Sequence, residues 1–163
     1  MDNNNVLQRI RYIFDFSDDK MIRIFGQADL EVTRAEVSNW LKKEEDPDYA
    51  MLNDKLLATF LNGLINDKRG KKEGEQPKPE KRLTNNLILR KLKIALELKS
   101  EDLLEMLELA GFKLSKHELS AFFRKPEQRQ YRVCKDQVLR NLLKGMQLKY
   151  RPEPNESKTE EAS

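Results

Sequence analysis

Val32-Thr33-Arg34-Ala35-Glu36-Val37-Ser38-Asn39-Trp40-Leu41-Lys42-Lys43 returns 82 residues later as Leu114-Ser115-Lys116-His117-Glu118-Leu119-Ser120-Ala121-Phe122-Phe123-Arg124-Lys125. Second in each stretch is a hydroxyl residue, Thr33 or Ser115, followed three positions on by glutamate, the spacing of a capping box, and large apolar residues then recur at helical intervals. Working outward, the same offset holds without a gap from Asn3-Asn4 over Asn85-Asn86 to Arg69 over Arg151. Leu7/Leu89, Asp54/Asp136, Leu57/Leu139 and Gly63/Gly145 are identical across it, while Val6/Ile88, Phe25/Leu107 and Trp40/Phe122 exchange one large hydrophobe for another. A repeat of this length specifies two copies of one core.

The apolar spacing predicts four helices in each copy. In the first, Val6, Leu7, Ile10 and Ile13 follow Asp2 or Asn3 as N-cap, and Met21, Ile22 and Phe25 follow Ser17 or Asp18. A third helix starts at Thr33 and is stopped by Pro47, and a fourth starts from Asn53 or Asp54. The second copy restates them over 86–98, 101–110, 116–125 and 136–148. Glycine late in the fourth helix costs about 1 kcal/mol relative to alanine. Its presence at both 63 and 145 predicts a helix crossing too close for a side chain. The fold class is therefore all-α: two homologous four-helix units in tandem, related by an approximate twofold axis. The divisions are a first repeat over 1–70, a flexible polar linker over 71–82, a basic second repeat over 83–152 and a disordered acidic tail over 153–163. A unit of about 70 residues buries too little surface to be robust alone, so the two are expected to pack on each other.

The chain has 163 residues, 38% hydrophobic and 36% charged, and a net charge of +3. No apolar run is long enough to cross a bilayer, and an amphipathic pattern begins within a few residues of Met1, which points to the cytoplasm and to no membrane partner. The single cysteine, Cys134, rules out an internal disulfide and agrees with that compartment. Charge is unevenly spread. Residues 1–70 carry 10 Lys/Arg against 13 Asp/Glu, whereas 83–152 carry 15 against 8.

The block from Val32 to Lys43, the Asn3-Asn4 start, Asp19-Lys20-Met21 into Ile24-Phe25, and Phe60-Leu61-Asn62-Gly63-Leu64-Ile65 resemble the YehS-like bacterial proteins. Ala110-Gly111-Phe112 and Leu119 to Lys125 fit the same family. The resemblance covers residues 1–152 and implies one domain carried twice, without assigning a role to any residue.

The copies disagree most after the third helix. Lys42-Lys43-Glu44-Glu45-Asp46-Pro47-Asp48-Tyr49 in the first corresponds to Arg124-Lys125-Pro126-Glu127-Gln128-Arg129-Gln130-Tyr131 in the second, which continues through Arg132 to Lys135. Arginine grips phosphate with two hydrogen bonds and tyrosine stacks on bases, so Arg124, Lys125, Arg129, Tyr131, Arg132 and Lys135 are candidate contacts to RNA or DNA. The alternative is a solvated basic loop. The second and third helices of the second copy also invite a helix-turn-helix-like reading, with ordinary helical packing the stronger one. The sign change suggests another partner, a protein or a second copy meeting the first through oppositely charged loops or a groove between repeats. Asp54, Asp136, Tyr49 and Tyr131 would serve an enzyme only if a pocket gathered them. Glu44, Glu45, Asp46 and Asp48 lack the glycine turn and terminal glutamate of a calcium loop. One histidine, His117, makes no triad with Cys134 credible from sequence. No enzyme activity, metal or cofactor is expected on these grounds.

Overall fold

The computed structural model describes residues 1–152, leaving the acidic tail over 153–163 outside it. Among the described residues eight helices follow in order: α1 (Asn3–Phe14), α2 (Asp18–Gln27), α3 (Arg34–Leu41), α4 (Asp54–Arg69), α5 (Asn85–Ala95), α6 (Ser100–Leu109), α7 (Lys116–Ala121) and α8 (Asp136–Tyr150). No strand occurs among the described residues. Asp2, Ser17, Thr33 and Asn53 are the caps of the first repeat. Both capping boxes form: Glu36 N–H donates to Thr33 Oγ1 at 3.1 Å and Glu118 N–H to Ser115 Oγ at 3.0 Å. Asp15 and Glu97, each at φ 53°, end the first helix of either repeat in the left-handed region.

The expected third helix of the second repeat runs to Lys125, but α7 stops at Ala121. Its last turn tightens, with Phe122 N–H on Leu119 O and Phe123 N–H on Ser120 O, and the Ala121 carbonyl accepts Arg132 N–H from the returning chain at 3.2 Å. The carbonyl that would continue the helix is taken by the loop.

Gly63 on α4 faces the backbone of α2, where an added Cβ would lie 1.9 Å from Ile24 O. Gly145 on α8 repeats this against Met106 O of α6 at 1.8 Å. The glycines are where they are because two helix backbones touch there, as the sequence predicts. Leu7, Ile10, Phe25, Leu57, Phe60 and Leu61 in one repeat, and Leu89, Leu92, Leu139 and Leu143 in the other, belong to one continuous buried core.

The repeats join along two seams, α4 against α5 and α1 against α8, which exchange under the internal twofold. Each seam is fastened at both ends by equivalent contacts. Asp54 Oδ2 accepts Leu83 N–H at 2.9 Å, and Asp136 Oδ2 accepts the Met1 ammonium at 2.9 Å. At the far ends Arg69 pairs with Glu97, and Arg151 lies 3.6 Å from Asp15 while donating to Tyr12 O at 2.6 Å. The starts of α1, α4, α5 and α8 therefore gather at one end of the molecule and their last turns at the other. Four helices pointing the same way can be exchanged in pairs only by an axis parallel to them, so the internal twofold runs along the bundle.

The seams differ in charge. Lys91 on α5 donates to Asn62 Oδ1 at 2.6 Å and lies 3.0 Å from Glu80, which the 71–82 segment brings to it. Its counterpart, Arg9, sits half-buried beside Arg140, and burial followed by that like charge lowers its pKa.

Candidate functional site

The loops over 42–53 and 124–135 lead from α3 into α4 and from α7 into α8. Their backbones close identically. Asp46 N–H donates to Lys43 O at 2.9 Å and Tyr49 N–H to Asp46 O at 3.0 Å; Gln128 N–H to Lys125 O at 2.9 Å and Tyr131 N–H to Gln128 O at 3.1 Å repeat the pattern. Ala50 N–H returns to Asn39 O at 3.0 Å as Arg132 N–H returns to Ala121 O.

A buried asparagine holds each loop. Asn4 Nδ2 donates to Trp40 O at 3.0 Å and Ala50 O at 2.8 Å, and its Oδ1 accepts Leu52 N–H at 2.9 Å. Asn86 makes the same three bonds, to Phe122 O at 3.0 Å, Arg132 O at 2.8 Å and Cys134 N–H at 2.9 Å. One amide thus ties the exit of the third helix to the entry of the fourth, meeting backbone groups that burial would otherwise leave unpaired. Asn3 and Asn85 reinforce the entry through Asp54 and Asp136, each at 2.7 Å. These side-chain bonds are the first cause of the lowered pKa of both aspartates. Sequence reasoning gave Asn4 no role, although a polar residue kept in both copies one turn before Leu7, on the buried face, was the signal.

On this shared frame the second loop borders a recess of about 750 Å³. Phe112, Leu114, Phe122, Val133 and Val138 supply its apolar lining, and Arg129, Arg132 and Lys135 its cations, with His117 beside them. Phe122 occupies the place of Trp40, whose ring packs 5.4 Å from Phe25; Phe25 in turn corresponds to Leu107, so the second repeat carries less aromatic volume here. Val133, on this lining, is 67% exposed.

The structure therefore gathers three of the six candidate residues. Arg124 and Tyr131 are half-buried and Lys125 is exposed, and none of the three lines the recess. Among the described residues, none of the five cations forms an ion pair, and none pairs with the acidic loop. The first loop retains its charge differently: Lys42 donates to Asn39 Oδ1 at 2.8 Å and faces Asp48 at 3.7 Å, leaving Glu44 and Glu45 to solvent.

Other chemistry has less to work with. Asp54 and Asp136 are occupied fastening the seams. Burial pushes the Cys134 thiol up to about 11, keeping it protonated at neutral pH. Among the described residues no group of three or more His, Cys, Asp or Glu is placed to hold a metal ion, and no helix is long and apolar enough to cross a membrane. The three described cavities are each lined by a single repeat. The six-residue α7 is only about 9 Å long at 1.5 Å per residue, short for a helix that must lie in a DNA groove.

Comparison with known proteins also finds a repeated domain. Residues 3–70 and 85–151 each match the family described as "Protein of unknown function (DUF1456)". The chain is also 38% identical over 145 residues to "Uncharacterized protein YehS" of Escherichia coli (strain K12), covering 88% of this chain and 93% of that protein. No solved structure matches it.

Proposed function

Because the chain belongs to the DUF1456 family, whose description names no activity, we propose its function from the site alone: it binds single-stranded nucleic acid at the second loop. The observation that carries this reading is the pairing of an apolar recess with Arg129, Arg132 and Lys135, none of them neutralised among the described residues. An unstacked base offers an apolar face and edges, and its phosphates need cations within reach of that face. A recess of this size receives a base, while the arginines hold the flanking phosphates and Arg124 and Lys125 extend the positive surface along the strand. Fixing the loop at both ends lowers the ordering cost of binding. Duplex nucleic acid, with its bases stacked away, would engage the cations alone.

Fluorescence anisotropy with labelled single-stranded RNA and DNA, and with duplexes of the same sequence, tests the reading. Single strands bind more tightly than duplexes, and log K falls with log salt at a slope near −0.7 per phosphate contacted, about −3 in total if four or five cations engage. Arg124→Glu/Arg129→Glu/Arg132→Glu removes binding, and Phe122→Trp, which fills the recess without altering charge, weakens it for single strands more than for duplexes. Absence of salt-sensitive binding by the wild-type protein sinks the reading.

A further inference from the structure

Both loops stand at the same end of the bundle. Asn3 and Asn85 tie them to the starts of α1 and α5, Asp54 and Asp136 follow directly on them, and the seam contacts of Leu83 and Met1 place all four helix starts together. Since the internal twofold runs along the bundle, the loops lie on either side of it at that end. One is acidic and the other basic on the same backbone frame. Each also exposes one large apolar residue at the same position: Met51, 80% exposed, beside the acidic loop, and Val133 at the recess.

This arrangement has a geometric consequence. A second copy turned by 180° about an axis perpendicular both to the internal one and to the line between the loops presents its acidic loop to the basic loop of the first and its basic loop to the acidic loop. Both contacts form at once and are equivalent, so the pair closes as a dimer and leaves no unsatisfied end from which a filament could grow.

We propose that this end of the bundle is a self-complementary dimer face, in which each copy's acidic loop docks on the other's basic loop with Met51 entering the recess walled by Phe112, Phe122 and Val133. Glu44, Glu45 and Asp48 meet Arg129, Arg132 and Lys135 around that apolar centre, an ordering in which charges steer and the buried side chain holds. A strand of nucleic acid and a second copy use the same cations and therefore compete, although the dimer does not depend on nucleic acid being a ligand.

Sedimentation velocity on nuclease-treated full-length protein, at low and high salt, tests this by mass. The wild type sediments at twice the monomer mass at low salt and dissociates as salt rises. Glu44→Lys/Glu45→Lys/Asp48→Lys and Arg129→Glu/Arg132→Glu/Lys135→Glu each weaken self-association by at least about tenfold. Mixed in equal amounts they restore a dimer containing one of each, because each reversed loop now meets its complement. Met51→Ser weakens the wild-type dimer without changing its salt dependence. A wild type that stays monomeric at low salt, or a mixture that fails to associate while both variants show the wild-type helical circular dichroism, overturns the proposal. Met51→Ser leaves every charge and the basic recess in place, so nucleic-acid binding by that variant reports separately on the preceding reading.

Discussion

The loops over 42–53 and 124–135 share the N–H to carbonyl bonds that close them and the asparagine that ties each to its first helix, and still carry opposite charge. If loop shape depended on those charges, the shapes would have diverged with them. They have not, because the frame is fixed from beneath by Asn4 and Asn86 and by returning bonds to α3 and α7. Side chains that make no bond to the loop, such as Glu44, Glu45 and Arg129, are thereby free to vary at little cost to the fold, while Asp46 and Gln128 each also accept an N–H of their own loop, from Asp48 and Lys125 at 2.9 Å. The seams differ in a related way: Lys91 is balanced by Asn62 and Glu80, whereas Arg9 faces Arg140. The segment between the repeats can serve only one seam with Glu80, so the twofold is approximate in backbone contacts and broken in charge.

The comparison can be broken first at the helix crossings. Gly63→Ala and Gly145→Ala each force a Cβ into a carbonyl less than 2 Å away, and each should cost about 3 kcal/mol or more, the upper part of the overpacking range. Urea denaturation measures this, and a loss under about 1 kcal/mol in either repeat would mean that its helices separate easily.

Next come the loop latches. Asn4→Ala and Asn86→Ala strand two carbonyls and one N–H apiece, for an expected loss of about 2 to 4 kcal/mol each. Hydrogen exchange at Leu52 or Cys134 should accelerate in the corresponding variant alone. Unequal costs would show that the loop charges contribute to the frame after all.

The smallest effect on stability is expected from exchanging the charges. Asp46→Gln/Asp48→Gln/Ala50→Arg gives the first loop residues of the second, and thermal denaturation should register a change within about 1 kcal/mol. Nucleic-acid affinity, measured by anisotropy, should rise slightly as the first loop passes from net negative to net positive. A large destabilisation would break the separation of frame from charge.

Much of this was legible in the residues. The offset of 82, the capping boxes and the paired glycines led directly to eight helices and two close crossings, because helix starts and backbone clearance are local demands that a few residue types meet. The end of α7 was not legible, since it depends on Arg132 reaching back to Ala121 across the loop. Of the candidate site, the cations could be named from composition, but the division of Arg129, Arg132 and Lys135 from Arg124, Lys125 and Tyr131 could not. Nor could the recess, which needs Phe112 and Leu114 from before α7 and Val138 from α8 to converge.

By itself the sequence determined that one helical core is written twice and that the copies differ in charge after the third helix, because periodicity, caps and side-chain charge are properties of residues in order. Tertiary structure alone decided that Asp54, Asp136, Arg69 and Arg151 fasten the seams, that four helices run in parallel, and that the two unlike loops share one end. Those are relations between residues far apart in the chain, and they are set by which surfaces the two cores bury against each other.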